Sequence, residues 1–295
     1  MSWRSSSTLA WLRSLRGVEE EHPLARHTSF NIGGPADFFL ETAEPAPVLR
    51  GALDREVPVR VIGAGTNLLV SDEGVEGLVL RDVDRRFRPE NDRVFAGAGL
   101  KMMRLARLAA DQNLVGFEFA IGIPGTVGGA VYQNAGCWGT EVREVLVEVE
   151  GDDRSWEPEQ LALGYRTSAF REGGLEGELI TGAWFQLRPG DGAAARAQMA
   201  SWTAERLRTQ PIKSKNCGSV FKNPPGDSAG RLVDAAGLKG AREGGAVIST
   251  KHSNFIENTD GATAADVRRL IARAQAAVAE SLGVTLEPEV EMIGR

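Results

Sequence analysis

Two glycine-rich segments in the first half of the chain could bind a phosphorylated ligand. The first, residues 61–70, reads Val-Ile-Gly-Ala-Gly-Thr-Asn-Leu-Leu-Val. Glycines let the backbone approach a pyrophosphate and present N–H donors to it, and Thr66 and Asn67 add side-chain donors. Leu68 occupies the place of the third glycine of a Rossmann loop, and residues 71–77 favour a turn where that loop requires a helix. The segment therefore predicts either a bare turn or a phosphate-binding loop of another fold.

The second segment, residues 121–130, contains five Gly or Pro in ten positions and no charge, and Tyr-Gln-Asn-Ala-Gly follows at 132–136. It has few large side chains for a core and is too apolar for a solvated linker. We expect its backbone to wrap around a flat or phosphorylated ligand. A third stretch, residues 28–37, contains Gly-Gly-Pro, which predicts a turn or a direct ligand contact.

Short β-branched runs bounded by Gly or Asp predict the strands that position these loops. The predicted strands are Val59–Ile62, Gly77–Leu80, Val94–Ala96, Val145–Val149 and Ile180–Leu187.

Helices are predicted over Leu100–Gln112, with Leu100, Met103, Ala106 or Arg107, and Leu108 on one face, and over Ala193–Leu207. The strongest helix signal comes near the end of the chain, where Thr263 and Asp266 form a capping box and Gly283 ends the helix. Its predicted apolar face is Val267, Leu270, Ile271, Ala274 and Val278.

Composition narrows the classes of function. The length of 295 residues suggests two or three domains, and the net charge of −6 argues against general nucleic-acid binding. The two cysteines lie 80 positions apart, which excludes a disulfide framework and suits a reducing cytoplasm. No run of 18 apolar residues is present to span a membrane. Residues 1–17 resemble a transit peptide in part, but a short amphipathic helix docked on the body is the favoured interpretation.

Six collinear stretches together resemble one family, the UDP-N-acetylenolpyruvoylglucosamine reductases, which use the flavin fold of vanillyl-alcohol oxidase and para-cresol methylhydroxylase. The stretches are Thr28–Asp37, Gly63–Leu69, Gly122–Gly136, Tyr165–Phe170, Gln210–Pro224 and Leu286–Gly294. The Gly-Ile-Pro-Gly-Thr-Val-Gly-Gly run and the short chain are similar to the subclass that lacks an extra substrate-capping loop.

The resemblance implies an α+β protein with three parts. Residues 1–27 would form an N-terminal helix and lead-in. Residues 28–190 would form the FAD-binding domain in two subdomains, split near 85–95. Residues 191–295 would form a C-terminal α/β substrate domain, with a composition change near 189–192 marking the boundary.

The resemblance also implies non-covalent FAD, with NADPH as the reductant. The expected FAD contacts are Gly63, Ala64, Gly65, Thr66, Asn67, Leu68, Ile123, Pro124, Gly125, Thr126, Gly128, Gly129, Asn134 and Gly136. At Gly65 in particular, we expect the missing side chain to admit the pyrophosphate.

The reaction that the resemblance implies is the reduction of UDP-N-acetylglucosamine enolpyruvate to UDP-N-acetylmuramate, a step of peptidoglycan synthesis. Hydride addition pushes negative charge into a carboxylate, which the forked, always-charged Arg166 could bind. Ser219 matches the family's proton donor. Glu289 would act as a protonated acid, since burial and like charge raise a carboxyl pKa.

Glu287 lies two residues from Glu289 and would share its face in a strand, so only the resemblance favours Glu289. Tyr165, Lys222 and Asn223 are expected to hold the diphosphate and sugar. No metal site is expected, since the chain has three histidines. His27 is expected to pack in a turn rather than to attach the flavin, and the role of His252 is left open.

Two alternatives remain at this point. One is an oxidase of the same fold acting on a hydroxy acid or sugar lactone, which would need neither Ser219 nor Glu289. The other is a non-catalytic flavin- or nucleotide-sugar-binding module, against which the joint presence of Arg166, Ser219 and Glu289 argues. The expected enzyme is a cytoplasmic monomer without nucleic-acid or membrane partners.

Overall fold

The structure is a computed structural model that describes residues 3–295. The described residues form seven α-helices: α1 Ser6–Ser14, α2 Pro45–Leu53, α3 Met102–Asp111, α4 Val127–Tyr132, α5 Gly192–Thr209, α6 Ala229–Ala235 and α7 Ala264–Leu282. They also form eighteen strands: β1 Glu19–Pro23, β2 Pro35–Thr42, β3 Val59–Ile62, β4 Leu68–Val70, β5 Val75–Asp82, β6 Phe87–Glu90, β7 Arg93–Gly97, β8 Leu114–Val115, β9 Gly136–Cys137, β10 Thr140–Glu141, β11 Leu146–Glu150, β12 Ser155–Trp156, β13 Gly182–Gln186, β14 Arg188–Pro189, β15 Arg242–Glu243, β16 Ala246–Ile248, β17 Ile256–Asn258 and β18 Glu291–Ile293. The predicted α+β class is confirmed.

The chain divides into two compact units, each discontinuous in sequence. The first unit comprises the described part of Met1–Glu19 together with Phe38–Ala64 and Gly77–Ala204. The second unit comprises Glu20–Asp37, Gly65–Glu76 and Glu205–Arg295. The division falls inside α5. The three parts predicted from the sequence, with boundaries at residues 27 and 190, therefore stay a prediction.

The first unit contains two layers of sheet. In one, β5 pairs with β3 in parallel, with Val59 opposite Leu78, and its apolar residues form a core with α1 and α2. Leu12 of α1 is fully buried in that core, which confirms a docked amphipathic helix. Helix α2 was not predicted, because its Pro-Ala-Pro start reads as a loop although proline is well tolerated in a first helical turn.

The other layer is an antiparallel sheet of order β12-β11-β13-β7-β6, whose apolar face packs beside α3. The predicted strands are confirmed as parts of β3, β5, β7, β11 and β13. The predicted stripe on α3 is partly confirmed. Leu100, just before the helix, and Ala106 are buried, whereas Met103 and Leu108 are half-buried and pack against the same core. The other buried positions of the helix are Met102, Leu105, Ala109 and Ala110.

The glycine-rich segment 121–130 is partly core, contrary to the expectation from its composition. Ile121, Ile123 and Val127 are all buried in the main hydrophobic cluster of the first unit. A 3-10 turn, Glu118–Gly122, and the short helix α4 place these side chains inward. The glycines between them allow close packing, so the segment combines a structural role with its exposed Pro124 and Gly129.

The second unit contains the antiparallel sheet β15-β16-β17, the parallel pair β4–β18, and helices α6 and α7. The capping box of α7 between Thr263 and Asp266 is confirmed, and Gly283 ends the helix with a φ of 68°. The same helix receives a second, unpredicted cap. The Asp72 carboxylate accepts hydrogen bonds from the Ala264 and Ala265 amides at 2.8 and 3.1 Å. Since the first amides of a helix lack internal partners, this cap fixes residues 71–72 to α7.

Across residues 3–295, none of the helices has the length and apolar character that crossing a bilayer requires.

The carboxyl group of Asp82 at the end of β5 is buried in the first unit. Its Oδ1 accepts from the Asp84 amide at 2.7 Å, and Oδ2 has no hydrogen-bond partner among the described residues. Burial raises the pKa of Asp82 to about 7, and the nearby Asp84 carboxylate adds to that rise. Its ionised form therefore destabilises the folded state.

We predict that this carboxyl makes stability fall as pH rises. Folded Asp82 binds its proton more tightly than in the unfolded chain, where its pKa is near 3.8. Unfolding free energy should therefore fall by up to roughly 1.4 kcal/mol per pH unit between about pH 4 and pH 7. In Asp82→Asn that dependence should be reduced, as measured by urea unfolding across the range. The exposed Asp54→Asn serves as the control, and an unchanged slope in Asp82→Asn would refute the assignment.

Candidate active site

The two predicted glycine loops meet inside the first unit. A Cβ placed on Gly63 would lie 2.4 Å from Thr126 Oγ1, so the strand end and the second loop are in direct contact. Backbone bonds from Met102 N to Gly125 O and from Gly128 N to Ala98 O fix the second loop, at 3.0 and 2.9 Å. From the sequence, the glycine content of the two loops was the only indication that they bind the same ligand.

Gly129 faces open space in this loop. A Cβ there would meet one atom of the described residues within 4 Å, Thr126 Oγ1 at 3.7 Å. Gly129 is exposed, and it sits within α4 with an ordinary helical backbone. Packing within the protein does not explain the glycine at this position. Because there is no side chain, a ligand can approach the backbone here.

The expectation at Gly65 needs correction. Its φ is +62°, and a Cβ would lie 1.9 Å from the carbonyl oxygen of His27. The Ser29 amide donates to the Gly65 carbonyl at 3.1 Å, so residues 27–29 pack on this glycine. Gly65 is therefore required by the fold of the second unit, whether or not its backbone also contacts a pyrophosphate. His27 itself lies in a 3-10 turn, with its Nε2 2.8 Å from His22 Nε2.

Arg166 occupies a strained turn in the first unit. Gly164 and Thr167 exchange backbone hydrogen bonds at 3.2 and 3.3 Å, which makes Tyr165 and Arg166 the two tip residues. The φ of Arg166 is +57°, a region that costs a non-glycine residue roughly 1–2 kcal/mol. Its guanidinium donates to the Gly136 carbonyl at 3.1 Å and lies 5.0 Å from the Tyr165 ring centroid. Such strain at a charged residue is typical of functional sites.

Buried polar side chains join this turn to the second glycine loop. Asn134 is fully buried, and its Nδ2 donates to Gly164 O at 2.8 Å and to Glu141 Oε2 at 3.0 Å. Its Oδ1 accepts from the Arg143 amide at 3.0 Å. Ser168, also fully buried, donates to the Tyr132 carbonyl. The Asn134 side chain is thus engaged by protein groups, so a contact with a cofactor at this residue would have to come from its backbone.

In the second unit, Ser219 follows Gly218, whose φ is +80°. The Asn216 side chain accepts from the Gly218 amide at 2.8 Å and donates to Pro211 O at 2.9 Å, which fixes the approach to Ser219. Ser219 is half-buried, and among residues 3–295 its hydroxyl makes no hydrogen bond. The hydroxyl is therefore available to a ligand.

The structure separates Glu289 from Glu287. The Glu289 amide donates to the Val220 carbonyl at 2.8 Å, which places Glu289 beside the segment that carries Ser219. Glu289 is 9% exposed, whereas the Glu287 side chain is 68% exposed and pairs with Lys222 Nζ at 2.5 Å. Residues 286–290 make an isolated antiparallel bridge between Pro288 and Phe221 and are not assigned to a strand, so the expectation that the two carboxyl groups share a face stays a prediction.

Asn67 and Cys217 complete the surroundings of Glu289. Asn67 Nδ2 donates to the Glu289 carbonyl at 3.0 Å, and its own carbonyl accepts from the Glu291 amide at 2.9 Å. Asn67, predicted as an FAD contact, therefore also fixes the backbone of Glu289. Burial raises the pKa of the Cys217 thiol, which keeps this thiol protonated.

Two predicted substrate residues of the second unit have partners of their own. Lys222 forms the ion pair with Glu287, and Asn223 Oδ1 accepts from the Ala229 amide at 3.0 Å near the start of α6.

The sequence did not single out Asn254, which contacts both residues that follow Ser219. The local signal for it is the run His-Ser-Asn-Phe at residues 252–255. Burial lowers the pKa of His252, so its ring is neutral and its Nδ1 can accept from the Asn254 amide at 3.3 Å.

Two family profiles of known proteins match this chain. A profile described as "FAD binding domain" matches residues 41–151, and one described as "UDP-N-acetylenolpyruvoylglucosamine reductase, C-terminal domain" matches residues 210–293. The chain therefore has the FAD-binding fold that the sequence predicted.

Whole-chain relatives agree with the two profiles. The chain is 44% identical to a UDP-N-acetylenolpyruvoylglucosamine reductase of Methylococcus capsulatus, over 95% of this chain and 94% of that one. It is 42% identical to the reductase of Phenylobacterium zucineum over the full length of both. A crystal structure of the reductase from Thermus caldophilus is 38% identical, covers 93% of this chain and 97% of that one, and superposes with a TM-score of 0.78.

The residues of the first unit fit an FAD molecule. The loops at Gly63 and Thr126 adjoin one another, and Gly129 offers an exposed position with open space above its Cα. Backbone close to a flat or phosphorylated ligand requires this kind of opening.

We predict that Gly129→Leu loses FAD without loss of fold. Leucine is the better helix former by about 1 kcal/mol and meets open space in the protein alone, so the flavin-free variant should be at least as stable as wild type. Bound FAD would collide with the new side chain, and the purified variant should retain less than about a tenth of the flavin, read as the ratio of flavin to protein absorbance.

Two further variants control this experiment. Ala197→Leu, on the exposed side of α5, should keep its flavin. Gly65→Ala should lower the melting temperature of the flavin-free protein, because its Cβ would collide with His27 O. Full FAD content in Gly129→Leu would remove this glycine from the cofactor site.

Proposed function

The chain belongs to the UDP-N-acetylenolpyruvoylglucosamine reductase family, and on that premise we propose that it reduces UDP-N-acetylglucosamine enolpyruvate with electrons from NADPH, Ser219 giving the proton. One observation in the second unit carries the proposal. The Ser219 hydroxyl makes no hydrogen bond within residues 3–295, and the buried Glu289 is hydrogen-bonded through its amide to Val220, the residue next to Ser219. FAD, when bound, supplies the hydride chemistry, accepting a hydride from NADPH and passing one to the substrate. The substrate thus gains one hydride and one proton across its C=C bond.

Arg166 is proposed to bind the carboxylate of the enolpyruvyl group. When hydride adds to the methylene carbon, negative charge develops toward this carboxylate and needs fixed donors. The guanidinium carries five N–H donors in a planar fork, a geometry that suits a carboxylate. The strained backbone of Arg166 supports the proposal, since a purely structural turn would favour glycine at that position.

Ser219 is proposed to donate the proton to the neighbouring carbon, the one that bears the carboxylate. A serine hydroxyl is a weak acid, so it can serve only beside a very basic carbon and in a fixed position. The fixed backbone on both sides of Ser219 and the absence of a hydrogen bond to its hydroxyl within residues 3–295 support this role.

Glu289 is proposed to act as a neutral acid that donates a hydrogen bond to the developing anion. A carboxyl group that is 9% exposed loses much of the solvation that favours its charged form. The exposed Glu287, paired with Lys222, does not meet this requirement. Tyr165, Lys222 and Asn223 are proposed to hold the sugar and diphosphate, in which case the substrate would replace Glu287 as the partner of Lys222.

The remaining parts of the proposal rest on the sequence. They are non-covalent attachment of FAD, NADPH as the reductant, a monomeric state, a cytoplasmic location, and the place of the reaction in peptidoglycan synthesis. An oxidase of the same fold is the competing function. It would turn over with oxygen and would not depend on Ser219 or Glu289.

We predict that Ser219→Ala separates the two halves of the reaction. The variant should bind FAD and bleach with NADPH at a near-normal rate, because the serine has no part in that step. Its absorbance should then recover roughly 10²–10⁴ times more slowly than wild type when the enolpyruvyl substrate is added. Stopped-flow absorbance measures each step, with Ser228→Ala, the exposed cap of α6, as the control. Equal slowing of both steps would show that Ser219 is structural.

We predict that Arg166→Lys is not a conservative change. Lysine keeps the charge but loses the planar fork, so the kcat/KM for the enolpyruvyl substrate should fall by the equivalent of about 2–4 kcal/mol. The rate of bleaching by NADPH should change little. Arg154→Lys, in an ion pair with Glu178 on the first unit, is the control. Near-normal turnover of Arg166→Lys would mean that Arg166 serves the turn alone.

A further inference from the structure

We infer that Asn254 is a positioning residue for proton delivery, setting the place of Ser219 and Glu289 through the Val220–Phe221 backbone. Its buried side chain lies on the turn between β16 and β17 and is 3% exposed. The inference rests on the proposed function of Ser219 and extends it to a residue that need not touch the substrate.

Three hydrogen bonds connect Asn254 to the two residues after Ser219. Its carbonyl accepts from the Val220 amide at 2.8 Å, its Oδ1 accepts from the Phe221 amide at 2.9 Å, and its Nδ2 donates to the Phe221 carbonyl at 2.9 Å. The Asn254 side chain thus supplies both an acceptor and a donor to the backbone of Phe221, as a neighbouring β-strand would.

The Val220 peptide carries this restraint to Glu289. On its other side, the Val220 carbonyl accepts from the Glu289 amide at 2.8 Å and from the Val290 amide at 3.3 Å. The backbone at Val220 is therefore held from Asn254 and from Glu289 at once. A shift of Phe221 or Val220 moves Ser219, which is covalently attached, and Glu289, which is hydrogen-bonded.

The turn that carries Asn254 is itself fixed. The Asn254 amide donates to His252 Nδ1 at 3.3 Å, the Phe255 amide donates to the His252 carbonyl at 3.0 Å, and the His252 and Phe255 rings meet edge to face. The Ser249 amide donates to the Phe255 carbonyl at 2.8 Å. Asn254 therefore has a stable support, as a positioning residue needs.

Proton transfer is sensitive to such positioning. A misplacement of about 1 Å can slow a reaction on the order of 100-fold, even when every reacting group is present. Because the Ser219 hydroxyl has no hydrogen bond of its own within residues 3–295, its position depends on the backbone that Asn254 holds.

The decisive variant is Asn254→Asp, which keeps the acceptor for the Phe221 amide and, once ionised, turns the donor into a second oxygen facing the Phe221 carbonyl, so the assays are run across a range of pH that reaches the ionised form. We expect bleaching by NADPH to stay within about 2-fold of wild type, while reoxidation by the enolpyruvyl substrate slows on the order of 10- to 100-fold. The KM for that substrate should change far less than kcat, and the solvent isotope effect on reoxidation should rise. Asn91→Asp makes the same chemical change at an exposed turn and is the control.

A readout independent of turnover accompanies the kinetics. Amide hydrogen exchange of Val220, Phe221 and Glu289 should be faster in Asn254→Asp, with the rest of the second unit unchanged. If Asn254→Asp does not fold, the same assays on His252→Gln decide, with an expected slowing of reoxidation on the order of 5-fold.

The outcomes separate this inference from the proposed function. Reoxidation as fast as in wild type, or equal slowing of both steps, would overturn the positioning role while leaving the function intact. A wild-type protein whose reduced flavin does not react with the enolpyruvyl substrate would overturn the function itself. Selective loss of reoxidation with faster exchange at Val220 and Phe221 would support the inference.

Discussion

Backbone that belongs to no helix or sheet needs hydrogen-bond partners from elsewhere in the chain, and this requirement applies to the candidate residues of each unit. In the first unit the Arg166 turn is held by Asn134, and in the second the Ser219 segment is held by Asn216 and Asn254. A carboxamide is suited to this task, because it offers a donor and an acceptor on one short side chain. The proposed site residues Arg166 and Ser219 thereby lie on irregular backbone that side-chain hydrogen bonds hold in place.

Regular elements were predictable where local chemistry decided them. Strand β3 follows from its β-branched run, and α7 follows from its capping box and terminal glycine, both of which operate within a few residues. Helices α2, α4 and α6 were not predicted. In α2 and α4, a proline-rich start and a glycine-rich sequence favour loops unless tertiary packing outweighs propensity. The buried face of α3 was predicted only in part, because alanine gives little periodic signal.

The site was predictable in its residues but not in their connections. The resemblance named Arg166, Ser219 and Glu289 and favoured Glu289 over Glu287, a choice with which the burial of Glu289 and the ion pair of Glu287 with Lys222 agree. The left-handed backbone conformation of Arg166 cannot be predicted from the residue type or from its neighbours in the sequence. Long-range partners such as Asn67 with Glu289, 222 positions apart, are likewise set by the tertiary fold.

The pairing of β4 with β18 has a consequence for the order in which the protein matures on the ribosome. Leu68–Val70 pairs in parallel with Glu291–Ile293, so this part of the second unit cannot close until residues 291–293 have emerged, more than 200 positions later. The first unit draws on residues up to Ala204 and can collapse earlier. A nascent chain would thus present a partly folded first unit before Glu289 has been synthesised. Long-range closure of this kind is slow and leaves apolar strand edges exposed in the interval, which is when chaperones bind.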